Sequence, residues 1–381
     1  MKKTAILLTM MTVISVGAFA NEKLTLETQG HFAAGGITIQ REGTYDNKKF
    51  GGWASPIEQG QSYRADHAIV SYQIPAKAKN APLLFIHGYG GSGLCWEMTP
   101  DGREGFSTLM LRRHYPAFVI DLPGRGRAGK TSATTTVTPK ADEMLWFDIW
   151  RLGEYPNYHS DVQFPKDAET LGQFFREMTP DLSAHNMKTD LDAIRAAVNK
   201  ANALTERYVK NTKSSAPASM LAQTAKRGVI LVTHSAGGFP GWLSAINNQN
   251  VKAVVSYEPG GYVFPEGEVP EPMPSLTGTV SGMPVPMEQF QRLTEIPIVM
   301  YFGDYIPEEL TDKLGGENWR VRLQMARKFA ETVNRHGGNA TLVELPKLGI
   351  KGNTHFLMSD LNNDELADLL DRWIQENKLD K

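Results

Sequence analysis

Cysteine is almost missing from this chain of 381 residues; Cys95 is the only one. One thiol cannot form an intramolecular disulfide, and neither a Cys₄ nor a Cys₂His₂ zinc site can be assembled from it. Long hydrophobic runs are also missing. After residue 20 no apolar stretch approaches the ~20 residues that a membrane-spanning helix needs. Nor is there an excess of one charge: 40 Lys and Arg against 42 Asp and Glu leave a formal net charge of −2. That balance argues against the strongly basic surface of a nucleic-acid binder. What is present is ordinary for a globular protein, 41% hydrophobic and 22% charged residues, and disorder over the whole chain is excluded.

The first residues, Met1-Lys2-Lys3, precede an apolar run from Ala5 to Gly17 and then Ala18-Phe19-Ala20-Asn21. A short basic start, an apolar stretch and an A-x-A ending describe a secretory signal peptide at residues 1–20. The expectation is an exported protein, periplasmic or extracellular, without stable membrane insertion. Its mature part, 361 residues with a formal charge of −4, is one large or two ordinary domains.

Short β-rich runs alternate with longer helical patterns. Ile37–Gln40 and Ala68–Ile74 read as early strands, followed by Pro82–Ile86, Ala117–Ile120, Val229–Val232, Ala253–Ser256, Ile296–Tyr301 and Ala340–Leu345. The later runs are nearly continuous in Val, Ile and Leu, as strands buried on both faces of a parallel sheet should be. Helices are expected at 103–113, 187–209, 237–247, 318–336 and 363–376, and the alternation predicts an α/β fold with helices flanking a mostly parallel sheet. Two stretches break the rhythm. Residues 122–186 hold many aromatics, among them Trp146, Trp150, Phe174 and Phe175, and are expected to pack as a cap insertion. Residues 259–287 carry seven prolines and form an extended excursion, ordered or mobile.

The strongest local feature is Val229-Ile230-Leu231-Val232-Thr233-His234-Ser235-Ala236-Gly237-Gly238. A buried strand runs into a serine among small residues and on into a helix, the context of a nucleophile elbow. Thr233 stands where glycine is usual in G-x-S-x-G. Upstream, Leu83-Leu84-Phe85-Ile86 leads into His87-Gly88-Tyr89-Gly90-Gly91-Ser92-Gly93, a strand ending in a glycine-rich loop. Such a loop can aim a main-chain N–H at an oxyanion. The candidate donors are the amides of Tyr89 and Ala236.

A serine nucleophile needs a histidine base. Of the nine histidines, only His336 and His355 follow the elbow by enough, in the chain order serine, acid, histidine. His336 ends a helix, where it has a structural job. His355, in Gly352-Asn353-Thr354-His355, lies in the loop after the last strand, at the sheet edge that carries Ser235. Two carboxylates compete to orient its ring: Glu258 at the end of the sixth strand and Asp304 at the end of the seventh. The seventh strand is the commoner home for the acid; the longer Glu side chain could reach from the neighbouring strand.

Taken together these segments resemble the α/β-hydrolase superfamily, and more closely a group of secreted bacterial esterases. The matching segments are His87-Gly88 with Trp96-Glu97, Thr99-Pro100-Asp101-Gly102-Arg103, Val119-Ile120-Asp121 with Gly124-Arg125-Gly126-Arg127, His234-Ser235, Ser256-Tyr257-Glu258-Pro259-Gly260, Phe302-Gly303-Asp304 and Gly352-Asn353-Thr354-His355. They run from about residue 30 to residue 377. The resemblance implies Ser235 as nucleophile, His355 as base and Glu258 as acid, with Asp304 the alternative. It departs from that group at Tyr89-Gly90, which stands in place of paired cysteines in the oxyanion loop. The implied activity is hydrolysis of small carboxylic esters, with no metal or organic cofactor. A lactonase or thioesterase of the same fold is the nearest alternative, and a catalytically inactive binding protein the alternative from another class. Gly124–Thr131 also satisfies the P-loop pattern G-x-x-x-x-G-K-[ST]. That reading requires a helix immediately after it, and the β-branched, proline-ended stretch to Pro139 argues against one. No oligomeric state is implied.

Overall fold

The structure is a computed structural model, and it describes residues 23–41, 61–133, 140–179, 186–210 and 228–380. The expected leader at residues 1–20 lies outside the described residues.

Eight strands form one sheet: β1 (Leu26–Arg41), β2 (Gln61–Pro75), β3 (Leu83–Ile86), β4 (Ala117–Asp121), β5 (Val229–His234), β6 (Val251–Tyr257), β7 (Pro297–Phe302) and β8 (Asn339–Glu344). Their spatial order is β1-β2-β4-β3-β5-β6-β7-β8. β1 and β2 are antiparallel to each other and β2 to β4, and every later pairing is parallel. The helices between them are α1 (Phe106–Arg112), α2 (Glu143–Ile149), α3 (Ala168–Arg176), α4 (Met187–Lys210), α5 (Gly238–Asn247), α6 (Met287–Thr294), α7 (Leu314–Arg335) and α8 (Asn363–Glu376).

The central strands are apolar on both sides because both sides are covered. Along β5, Val229 and Leu231 join the core under α4, α5 and α7, while Ile230 and Val232 join the core beneath α1 and α8. β7 alternates in the same way, Ile298, Met300 and Phe302 against Val299 and Tyr301. Side chains one residue apart on a strand point to opposite faces, so a run without polar residues is what a two-sided burial selects.

The outer strands are longer than the sequence pattern suggests. β1 and β2 pair from Leu26–Pro75 to Arg41–Gln61, beyond Ile37–Gln40 and Ala68–Ile74, because much of β1 is solvent-exposed and carries little apolar signal. α7 begins at Leu314 rather than 318; Gly315 and Gly316 weaken helix propensity by about 1 kcal/mol each and hide the start. α1 starts at Phe106 rather than 103, and the Arg103 guanidinium instead donates to the carbonyls of Ser359, Asp360 and Leu361.

Between β4 and β5 the described stretch 140–179 holds α2, a two-stranded hairpin (Gly153–Glu154 with Asn157–Tyr158) and α3. Phe147, Phe164 and Phe174 are fully buried there. Asp167 starts α3 by accepting the Thr170 N–H at 2.8 Å, an N-cap. The proline-rich stretch after β6 is ordered against the body. It forms two small ladders, Met273–Ser275 with Gly278–Val280 and Met283–Val285 with Val263–Pro265. Tyr262 and Phe264 pack around Phe329 of α7, with ring centroids 5.5 and 6.1 Å away.

Candidate active site

Ser235 follows the last residue of β5 and opens a turn of 3₁₀ helix, Ser235–Gly237, that leads into α5. Its φ is +51°, in the left-handed region that a side chain resists. Strain of this kind persists only where surrounding contacts enforce it. Here the Ser235 carbonyl accepts the Gly260 N–H at 2.8 Å, and Gly88 approaches so closely that a Cβ on it would lie 2.7 Å from Ser235 Cβ. The result is a half-buried Ser235 beside an exposed Ala236.

Thr233, where glycine is usual, is fully buried, and its hydroxyl lies 2.7 Å from that of Ser256. Room for its methyl comes from the other side of the junction. A Cβ added at Gly241 of α5 would stand 2.8 Å from Thr233 Cγ2. The missing glycine of the elbow is thus replaced by one in the helix that packs behind it.

The loop after β3 is held on both flanks. Asp121 Oδ1 accepts the Gly93 N–H at 2.6 Å and Oδ2 accepts Arg127 Nε at 2.5 Å. Thr179 donates its N–H to Gly90 O at 2.7 Å and its hydroxyl to Gly91 O at 3.2 Å. The amides of Tyr89 and Ala236 therefore sit on two rigid segments that meet at the Gly88–Ser235 contact. The Gly124–Thr131 stretch runs as turns; no helix follows it among the described residues before Glu143. Asp121, with its hold on Arg127, gives that stretch a packing role.

His355 is buried, and its Nδ1 lies 2.6 Å from Glu258 Oε2. Since a carboxylate only accepts, Nδ1 carries the proton and Nε2 the lone pair. Burial, with the Arg151 and Arg322 cations, holds the imidazole well below its ordinary pKa. The ring is therefore neutral at pH 7. Trp319 of α7 lies 4.0 Å from it, centroid to centroid, and His234 lies 4.4 Å from it. His234 donates from Nε2 to the His355 carbonyl at 3.0 Å, and burial keeps its own ring neutral.

Glu258, also at positive φ (+45°), is fully buried. Its second oxygen, Oε1, accepts the Gly303 N–H at 2.8 Å and Arg151 Nη2 at 2.5 Å. Glycine at 303 is required by crowding: a Cβ there would lie 2.7 Å from Asn353 O, 2.8 Å from Thr354 O and 3.1 Å from Glu258 Oε1. Asp304 takes a different position. Its carboxylate accepts the N–H groups of Tyr305 (2.7 Å) and Gly352 (2.8 Å), and so braces the loop that carries His355. Asp360 braces the same loop, accepting from Asn353 Nδ2, Thr354 N and Thr354 Oγ1, and burial pushes its carboxyl up to about 7. His336 caps α7 and contacts Glu268 at 3.0 Å.

Arg151, Trp319 and His234 were not singled out from the sequence as site residues. Arg151 is an arginine in an aromatic stretch without periodicity, and Trp319 sits in an amphipathic helix where a core role is the default. Their importance is tertiary. Among the described residues no group of three or more His, Cys, Asp or Glu is gathered that could hold a metal ion. No described helix is long and apolar enough to cross a membrane.

A chain of rings leads away from the histidine. Phe356 packs on Trp150 (5.0 Å), Trp150 on Trp146 (5.1 Å), and Trp146 on Tyr89 (5.2 Å), whose ring is 40% exposed. This wall joins the glycine-rich loop to the insertion between β4 and β5.

Comparison with known proteins agrees with this geometry. A solved structure of a bacterial esterase superposes with a TM-score of 0.69 at 28% identity, covering 93% of this chain and 98% of that one. A probable secreted lipase from a fungal species is 25% identical over 325 residues, 77% of this chain and 82% of its own length. The model of the alpha/beta hydrolase family matches residues 83–377, more than half of the chain. With the strand order, the strained serine after β5 and a histidine in the loop after β8, that match establishes that the chain belongs to the α/β-hydrolase family.

Proposed function

We propose that this protein is an exported serine esterase that hydrolyses carboxylic esters with Ser235, His355 and Glu258. The observation that carries the reading is the 2.6 Å contact of His355 Nδ1 with Glu258 Oε2, at the sheet edge where Ser235 is held at a left-handed φ. Ser235 Oγ attacks the ester carbonyl carbon as His355 Nε2 takes its proton. Glu258 fixes the tautomer and stabilises the imidazolium that forms. The amides of Tyr89 and Ala236 bind the oxyanion; one such donor is worth about 10²–10³ in kcat. His355 then protonates the leaving alcohol. A water, deprotonated by the same nitrogen, opens the acyl-enzyme and releases the acid.

Of the expected cap at 122–186, the described residues 140–179 cover the site in this reading, with Tyr89, Trp146 and Trp150 forming an apolar wall beside the nucleophile; residues 134–139 and 180–185 lie outside the described residues. The leader at residues 1–20 supplies export, and the similarity to a probable secreted lipase from a fungal species supports it. The test is active-site labelling combined with turnover. An organophosphate should label the wild type at one serine, spare Ser235→Ala, and abolish turnover of chromogenic esters in proportion to labelling. An unlabelled, inactive wild type would favour a binding protein.

A further inference from the structure

Eight non-glycine residues among those described have positive φ; Ser235, Glu258 and Tyr305 stand just after β5, β6 and β7, and Arg151 bonds to Glu258 and to the residue before Tyr305. The first three have a place already: Ser235 and Glu258 in the proposed reaction, Tyr305 in the turn at Asp304. Arg151 does not. It belongs to the insertion between β4 and β5, far in sequence from every strand of the eight-stranded sheet, and its side chain is 1% exposed. Burying a guanidinium is costly unless it is paired and hydrogen-bonded. Its bonds run to the two competing strand ends: Nη2 donates to Glu258 Oε1 at 2.5 Å and Nε to the Asp304 carbonyl at 2.8 Å.

We infer that Arg151 is a positioning residue for the reaction, a fork from the insertion that turns Glu258 so that one oxygen is occupied and the other faces His355. The inference rests on the Ser235–His355–Glu258 reading. A carboxylate with one oxygen free would rotate or draw water; with Oε1 held by Arg151 and Gly303 N, only Oε2 remains for Nδ1. The guanidinium also offsets the Glu258 charge. A carboxylate alone would favour the imidazolium, which cannot act as a base; the cation beside it favours the neutral ring. The charged and titratable groups facing this pair are His234 from β5, Arg322 from α7, Asp360 from the loop after β8, Tyr262 after β6, and His159 of the insertion itself, whose ring burial and the Arg151 cation hold below its ordinary pKa. Of these only Arg322 shares the role of holding His355 neutral by charge, and it reaches the ring from across Trp319, its guanidinium 5.4 Å from that ring's centroid. Of the two cations, it is Arg151 that touches the acid.

The experiment is the pH profile of kcat/KM on a short-chain chromogenic ester, with active sites titrated by an organophosphate. In Arg151→Met, kcat per titrated site should fall about tenfold to a hundredfold with KM little changed. The acid limb should move upward by about one pH unit. Arg151→Lys keeps the charge and loses the fork; its acid limb should stay near that of the wild type while kcat is reduced. An acid limb in Arg151→Met that coincides with the wild type overturns the inference, because loss of packing alone lowers the active fraction without moving it. Should Arg151→Met fail to fold, Arg151→Lys decides. A reduced kcat at unchanged KM supports the fork, and a wild-type kcat per site overturns it. Glu258→Gln is run alongside: if that variant turns over like the wild type, the triad reading itself fails, and the fault is not in Arg151.

Discussion

Glu258 Oε2 meets His355 Nδ1 at 2.6 Å although the two residues are 97 positions apart. The acid comes from the end of β6 and the imidazole from the loop after β8, so the contact spans the end of the intervening strand β7. Glutamate bridges this gap because Gly303, at the end of β7, has no side chain to obstruct it, and because its main-chain N–H offers Glu258 Oε1 a 2.8 Å bond on the way.

This geometry separates the two acids. Glu258→Gln removes the charge that supports the imidazolium and is expected to lower kcat by about 10³–10⁴. Asp304→Asn keeps one of the two oxygens that accept the Tyr305 and Gly352 amides and loses the other; it is expected to lose tenfold or less, on the order of a loop perturbation. Steady-state kinetics on the two purified variants checks this; the opposite ranking would move the acid to β7.

The pH dependence follows from the depressed pKa of His355. In the proposed reaction a protonated ring cannot act as the base, so kcat/KM should be flat around pH 7 and fall only well below 6.5, the ordinary histidine value. Stability carries the same sign. The unfolded chain binds a proton near 6.5 that the folded chain refuses, so acidification through that range favours unfolding through this residue. His234, buried and neutral for the same reason, adds to the effect. Asp360, whose carboxyl burial pushes up to about 7, takes up a proton in the fold over the same range and acts in the opposite direction, so the histidine part is read by difference: in thermal melts from pH 8 down to 5 a His234→Gln variant should lose less Tm toward acid, or gain more, than the wild type.

The replacement of the elbow glycine by Thr233 makes a packing prediction. Gly241→Ala places a methyl 2.8 Å from Thr233 Cγ2, an overpacking expected to cost about 1–3 kcal/mol. Thr233→Ala removes the obstructing methyl, so the double variant should lose less than the sum of the two single ones. Urea denaturation of the four proteins measures that coupling. Additive losses would mean that the helix and strand adjust independently.

The parts of the fold that announce themselves in the sequence are those buried on two sides. β7 and β5 as far as Val232 are unbroken apolar runs, and α8 is found at its full extent, 363–376, because Leu366, Leu370 and Trp373 repeat at helical spacing against the core. β1 is half hidden because one face meets solvent. The candidate site divides in the same way. Ser235, His355 and the Gly88–Tyr89 loop stand at strand ends, where order along the chain and strand boundaries make them candidates. The choice between Glu258 and Asp304 is left open by those signals, since both end strands at one edge; what distinguishes their positions is a bare backbone at 303 and a guanidinium from another part of the chain. Arg151 itself has no local mark, because its partners are 107 and 153 residues away.

The insertion between β4 and β5 is sewn to the histidine loop by main-chain bonds. His355 N donates to Trp150 O, Gln163 N to Gly352 O and Leu361 N to Gln163 O. Such a segment is not an accessory that can be swapped to change specificity while the reaction centre stays untouched. A chimera that imports the corresponding region of a relative must import a matching seat for the imidazole as well, or trade one pocket for a scaffold whose base has lost its register.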